Sequence, residues 1–154
     1  MLGRLVAQLG TGSINVLTGR RGTGKTQLAA NAAHHAARAG AVLYTKAMQL
    51  FLDVRRAYQL DGVCEADVVS KYIVPRLLII DEAHERGDTA WEDRVLAHIV
   101  DRRYDAMCDT LLICNMKREA IIESLGPSIA SRIQECGAII ECNWESFRKI
   151  NLTA

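Results

Sequence analysis

Neither sign of charge dominates this chain: 19 lysines and arginines stand against 18 aspartates and glutamates, a formal net charge of +1. That balance argues against a protein that coats nucleic acid through bulk basicity, and leaves open only a locally basic face. No apolar run approaches the roughly 20 residues of a membrane-spanning helix, and the N-terminus lacks the charged-then-apolar pattern of a secretory signal. No membrane partner is expected, and the protein should stay in the compartment where it is made. Paired cysteines are missing too. Cys64, Cys108, Cys114, Cys136 and Cys142 form no C-x-x-C pair and show no histidine spacing typical of zinc sites. They read as reduced, packed thiols, which points to a cytosol. Internal repeats and low-complexity tracts are also absent, and 154 residues make one domain with a proper core, not two. With 49% hydrophobic and 24% charged residues the chain is globular in composition.

What the sequence does have is a phosphate-binding loop. Gly19, Arg20, Arg21, Gly22, Thr23, Gly24, Lys25 and Thr26 fit the pattern G-x-x-x-x-G-K-S/T. Residues 14–18 before it read as a short buried strand, and the alanine-rich residues after it as a helix, from about residue 25 to 39. Strand, glycine turn and helix form the context such a loop requires. The glycines let backbone N–H groups converge, and the helix adds its positive end, so a polyanionic phosphate is the natural occupant. Lys25 would reach the β- and γ-phosphates, and the Thr26 hydroxyl would take one position on Mg2+. Gln27, the next residue, belongs to the same nucleotide-binding set.

A second stretch carries the rest of the chemistry. The apolar run before Asp81 reads as a central parallel strand buried on both faces, with Asp81 and Glu82 where it emerges. That edge is where open parallel sheets bind ligands. Asp81 would hold Mg2+, directly or through water, and Glu82 would act as general base on the attacking water. Further strands are expected at residues 41–45, 110–115 and 138–142. Helices are expected at 1–12, 47–60, from 88 or 89 through Tyr104, at 117–125 and at 128–135. Residues 61–71 read as a connection with at most a helical turn. Asn115 would emerge beside Asp81 if their strands are parallel neighbours. The cations Lys46, Arg55 and Arg56 give the helix at 47–60 either a solvated face or a nucleic-acid contact. Arg94, Arg102 and Arg103 read as solvated or salt-bridged.

Taken together, these residues resemble the AAA+ ATPase module of bacterial and phage replicative helicase loaders of the DnaC type, and of their relatives, the IstB transposition helper ATPases. The carriers are the loop at 19–26, Tyr44 and Thr45 followed by the basic helix, and residues 77–82. Residues 91–94 and 101–104, Asn115, Ser131 with Arg132, and residues 143–148 complete the likeness. The resemblance implies that Asn115 orients the hydrolytic water and that Arg132 is an arginine finger reaching the nucleotide of a neighbouring subunit in a homo-oligomer. It implies a sensor-like place for Arg148. It also implies that Lys46, Phe51, Arg55 and Arg56 face single-stranded DNA, a cationic groove with an aromatic for stacking.

The expected fold is therefore α/β: a three-layer P-loop NTPase of the AAA+/ASCE class with a five-stranded parallel sheet. The expected domain is a single ATPase unit over 1–154, without the N-terminal helicase-binding segment of the loaders and without a C-terminal lid. The expected activity is hydrolysis of ATP to ADP and phosphate with Mg2+, weak alone and stimulated by oligomerisation, DNA or a partner. It would couple assembly on single-stranded DNA to a replicative helicase in the cytoplasm of a bacterial or phage-infected cell. The competing readings are a transposition helper, a P-loop nucleotide or metabolite kinase, and a nucleotide-gated binding module that hydrolyses little.

Overall fold

A computed structural model describes residues 1–58, 65–85, 87 and 89–147. Cys64 and Arg148 lie outside the described residues, as do Asp88 and the last two positions of the helix expected at 47–60.

In chain order the elements are α1 Leu2–Gln8, β1 Ile14–Thr18, α2 Lys25–Ala36, β2 Val42–Lys46, α3 Ala47–Ala57 and α4 Glu65–Ile73. They continue with β3 Leu77–Asp81, α5 Ala90–Asp105, β4 Asp109–Cys114, α6 Arg118–Cys136 and β5 Ala138–Glu141. All strand pairs are parallel, in the order β2-β3-β4-β1-β5. Every residue of β1, β3 and β4 is buried, while β2 and β5 are partly open edges. This is the three-layer α/β arrangement expected from the apolar runs, which are continuous because both faces of the sheet are covered.

The two faces are told apart by strand periodicity. Leu78 and Ile80 of β3, with Leu112 and Cys114 of β4, pack into the layer that holds α3, α4, α5 and α6. Leu77, Ile79, Leu111 and Ile113 alternate to the other side and meet Leu5 of α1 with Ala29 and Ala36 of α2. Small alanines let α2 lie close to the sheet, which brings the loop before it to the ends of the strands.

The helix over Glu65–Ile73 corrects the expectation of a mere connection there: Val69 and Tyr72 are buried at helical spacing and anchor it. Thr89 caps α5, its hydroxyl accepting from Glu92 N at 3.3 Å. The two helices expected around Gly126 and Pro127 are present as the two halves of α6, broken by the left-handed φ of 82° at Gly126. Arg103 is a second correction. It is fully buried and not solvated. Its guanidinium donates to Thr110 Oγ1 at 2.9 Å, to the carbonyls of Tyr72, Ile73 and Pro75 at 2.8–2.9 Å, and to the Asp109 carbonyl.

Beside it, the Asp109 carboxylate accepts from the backbone of Gly12 and Ser13 at 3.0 Å. These contacts pin the end of the sheet opposite the phosphate loop. Among the described residues no cysteine is in a disulfide, no His, Cys, Asp and Glu cluster could hold a metal by itself, and no helix is long and apolar enough to cross a membrane.

Candidate functional site

The loop leaves β1 at the carboxyl edge of the sheet and enters α2 through Gly24, whose left-handed φ of 77° makes it the helix N-cap. Gly19 also has positive φ, 133°, and a Cβ there would stand 2.3 Å from the Cys142 carbonyl oxygen, so no side chain fits. Thr23 is buried and closes the loop by donating to Arg20 O at 2.9 Å. The Lys25 side chain lies within the loop and donates to Gly19 O at 2.9 Å and Arg20 O at 2.7 Å. Burial pushes its ammonium below the ordinary lysine value, against the opposing pull of Cys142, Asp81 and Cys114.

Two strands across the sheet, beyond β4, β3 delivers the carboxylates. The Thr26 hydroxyl donates to Asp81 Oδ2 at 3.0 Å, and the Tyr44 hydroxyl donates to the same oxygen at 2.8 Å. Asp81 Oδ1 accepts from Glu82 N at 2.8 Å. Thr26 and Asp81 thus present two hard oxygens side by side, a donor set that fits Mg2+ completed by waters and phosphate oxygens. Burial and the bond to Asp81 push the Tyr44 phenol up to about 12, so it stays a donor. Glu82 turns the chain with a left-handed φ of 56°, and its carboxylate lies 3.0 Å from Lys46 Nζ.

Asn115 emerges from β4 beside β3, as parallel pairing requires. Its backbone N–H donates to His84 Nδ1 at 3.3 Å, and Ala83 N donates to Ile113 O at 3.0 Å, so the turn after Asp81 is tied to the end of β4. Glu85 then links back to the loop, 2.7 Å from Arg21 and 3.6 Å from His84 Nε2. Burial lowers the His84 imidazole below its ordinary value, which keeps Nδ1 an acceptor. Arg21, Glu85, His84 and Asn115 therefore form one chain of polar contacts around the loop.

These residues enclose a cavity of about 530 Å3 lined by Arg21, Gly22, Gly24, Lys25, Thr26, Gln27, Asp81, Glu82, Asn115 and Phe147, a size suited to a small-molecule ligand. A second cavity of about 530 Å3 shares Asn115 and includes Gly19, Arg20 and Trp144 in its wall.

Other expected site residues lie apart. Arg132 sits on α6 with its guanidinium 4.2 Å from the Tyr104 ring centroid, 3.5 Å from Asp101 and 3.6 Å from Glu135, in the wall of neither cavity. Arg55 stacks on Trp91 at 4.9 Å and pairs with Glu92 at 3.7 Å. Arg56 is exposed. Lys46 reaches the rim of the site through Glu82. Phe51 corrects the expectation of an aromatic for stacking DNA bases: it is 2% exposed, packed into the core against Trp91, and offers no face to a base. Tyr44, His84, Glu85, Trp144 and Phe147 were not among the expected site residues. His84 and Glu85 stand one residue beyond the acidic pair, and Tyr44 and residues 143–148 carry part of the family resemblance, but neither signal assigns these side chains a role at the site.

The model of the family described as IstB-like ATP binding protein matches residues 10–152. An uncharacterized protein, YdaV, of Escherichia coli K12 is 30% identical over 143 residues, 92% of this chain and 58% of its own length. The replicative helicase loader DnaC of the same strain is 25% identical over 135 residues, 86% of this chain and 55% of the loader. The AMPPCP-bound structure of DnaA from Aquifex aeolicus superposes with a TM-score of 0.78 at 19% identity, over 94% of this chain and 44% of that one. The chain thus spans a little over half the length of the curated relatives it matches. A match that runs through the loop, the acidic pair and Asn115 settles the kinship: this chain belongs to the family of IstB-like ATP binding proteins.

Proposed function

We propose that this chain is the ATPase module of a replication protein resembling a helicase loader, hydrolysing ATP to ADP and phosphate while assembling on single-stranded DNA with a replicative helicase. The observation that carries the reading is the convergence of Lys25, the Thr26 and Asp81 pair, Glu82 and Asn115 on one cavity at the sheet edge. Loop N–H groups and Lys25 would cradle the phosphates. Thr26 and Asp81 would hold Mg2+, which supplies neutralisation of phosphate charge when bound. Glu82 would accept the proton of the attacking water, and Asn115 would orient that water. Arg132, which lines neither cavity of its own chain, would act on the nucleotide of a neighbouring copy. The ion pair of Glu82 with Lys46 supports weak turnover by the chain alone, because the base is engaged elsewhere.

Calorimetric titration with Mg·ATP, followed by phosphate release, tests the reading. Lys25→Ala should abolish binding, and Glu82→Gln should bind ATP and hold it unhydrolysed. Normal turnover in Glu82→Gln would sink the mechanism, and no uptake of Mg·ATP by the parent would sink the function. The family match equally favours a second reading, a transposition helper working on duplex DNA. Stimulation by duplex and not by single strands would select it.

A further inference from the structure

The rim of the phosphate cavity carries an aromatic ring that the hydrolytic step does not use. Phe147 is 73% exposed yet held in place from several directions. Its backbone N–H donates to Gly22 O at 2.9 Å. One edge of the ring, Cδ2 and Cε2, lies 3.5 Å from where a Cβ on Gly24 would stand. Three residues earlier, the Trp144 indole N–H donates to Thr23 O at 3.0 Å. Segment 143–147 is therefore laced to three successive residues of the loop, and the rest of the Phe147 ring faces the cavity and water.

A nucleoside triphosphate makes two different demands on such a site. Its phosphates need N–H groups and a cation, which the loop and Lys25 offer. Its base is a flat, uncharged heteroaromatic group that gains from a π surface. The other residues in the cavity wall are glycine, polar or charged, and Phe147 is the one aromatic there among the described residues. We infer that Phe147 is the base-stacking residue of this site, and that it favours purine over pyrimidine nucleotides because the larger ring system covers more of its face. This rests on reading the cavity as the nucleotide site, and it assigns to the segment after β5 a role in choosing the ligand.

The test compares Mg·ATP, Mg·CTP and Mg·inorganic triphosphate by calorimetry on the full chain and on Phe147→Ala and Phe147→Trp. The parent should bind ATP more tightly than CTP or triphosphate. Phe147→Ala should weaken ATP on the order of tenfold, the scale of one lost base stack, leave inorganic triphosphate unchanged and erase the preference over CTP, while Phe147→Trp keeps it. An equal loss for ATP and inorganic triphosphate would mean that the ring seals the phosphate cradle, and would overturn the inference. So would an Ala variant that binds ATP as the parent does, or a parent that does not distinguish ATP from bare triphosphate. A parent that binds neither would overturn the nucleotide site itself, a result distinct from those three.

Discussion

Arg103→Met puts the opposite end of the sheet to the test. The guanidinium is fully buried and is met by one hydroxyl and four backbone carbonyls, with no carboxylate among these partners. Burial lowers its pKa to about 10, so at neutral pH a positive charge is carried inside the domain and held by oxygen dipoles. Methionine fills much of the same length and removes every donor. Five acceptors left without a partner, at the lower end of about 1 kcal/mol each, sum to roughly 5 kcal/mol. Part of this returns because folding no longer strips water from a cation, a cost of several kcal/mol in itself. A net loss of about 3 kcal/mol is the expected result. With a urea m-value near 2 kcal/mol per molar, the unfolding midpoint should fall by about 1.5 M. Arg103→Lys should fall between, because an ammonium keeps the charge but its three donors cannot serve acceptors spread around a planar fork. A Met variant within about 0.5 M of the parent would refute the argument. So would a Lys variant less stable than the Met variant, which would make the buried charge a liability that its hydrogen bonds do not offset. Nucleotide binding by the folded variants should persist, since Arg103 acts at the end of β3 and β4 away from the loop.

Three further outcomes follow from the site. Tyr44→Phe removes one hydrogen bond from Asp81 and should raise the Mg2+ concentration for half-maximal nucleotide binding on the order of tenfold. Binding in EDTA should stay as it was, and an equal loss there would make Tyr44 a prop of the cradle and not of the metal. His84, faced by Glu85, Arg21, Glu82 and Lys25, has a lowered pKa because it is buried. Below about 6.5 the unfolded chain then binds the proton before the folded one, so stability falls as pH drops from there through the lowered value, and is intact above. Urea midpoints between pH 7.5 and 5.5 should show that slope, and His84→Gln should flatten it. For Arg132→Ala, ATP binding should persist while turnover falls. Mixing with Lys25→Ala, which keeps its arginine, should restore hydrolysis if the arginine acts across subunits, and a mixture as slow as the Arg132 variant alone would exclude that role.

Which parts of this were readable beforehand depends on how far apart in sequence the cooperating groups lie. The loop was readable because its glycines, Lys25 and Thr26 are consecutive, and the flanking strand and helix needed only apolar pattern. Asp81 and Glu82 were readable because an uninterrupted apolar run ends on them. Phe51 was misread because an aromatic beside Arg55 and Arg56 looks like a stacking platform. Yet Ala47, Leu50, Phe51, Val54 and Ala57 recur at helical spacing and all are buried, so the period outranked the neighbours. Arg103 fails in the same way: it falls three and four residues after Val100 and Ile99, on the buried stripe of α5, and its type hid its address. The contacts of Tyr44 and Lys46 with the acidic pair were beyond reach, because they follow from β2 pairing with β3 so that Lys46 stands opposite Asp81, a register no local pattern fixes.

Register also changes what the loop's first glycine is for. Thr18 pairs with Cys114 on one side and Glu141 on the other, and Cys142 N donates to Thr18 O at 2.7 Å. The residue that follows β1 must therefore pass directly under the Cys142 carbonyl, where a Cβ would approach to 2.3 Å. Gly19 is forced by β5, independently of any phosphate, and so is the start of the turn that carries Lys25 inward. The same carbonyl begins the segment that brings Trp144 and Phe147 back over Gly22, Thr23 and Gly24. Loop and tail are thus shaped by one backbone approach, and a side chain introduced at Gly19 should displace both together, disturbing the phosphate cradle and the aromatic rim in a single step.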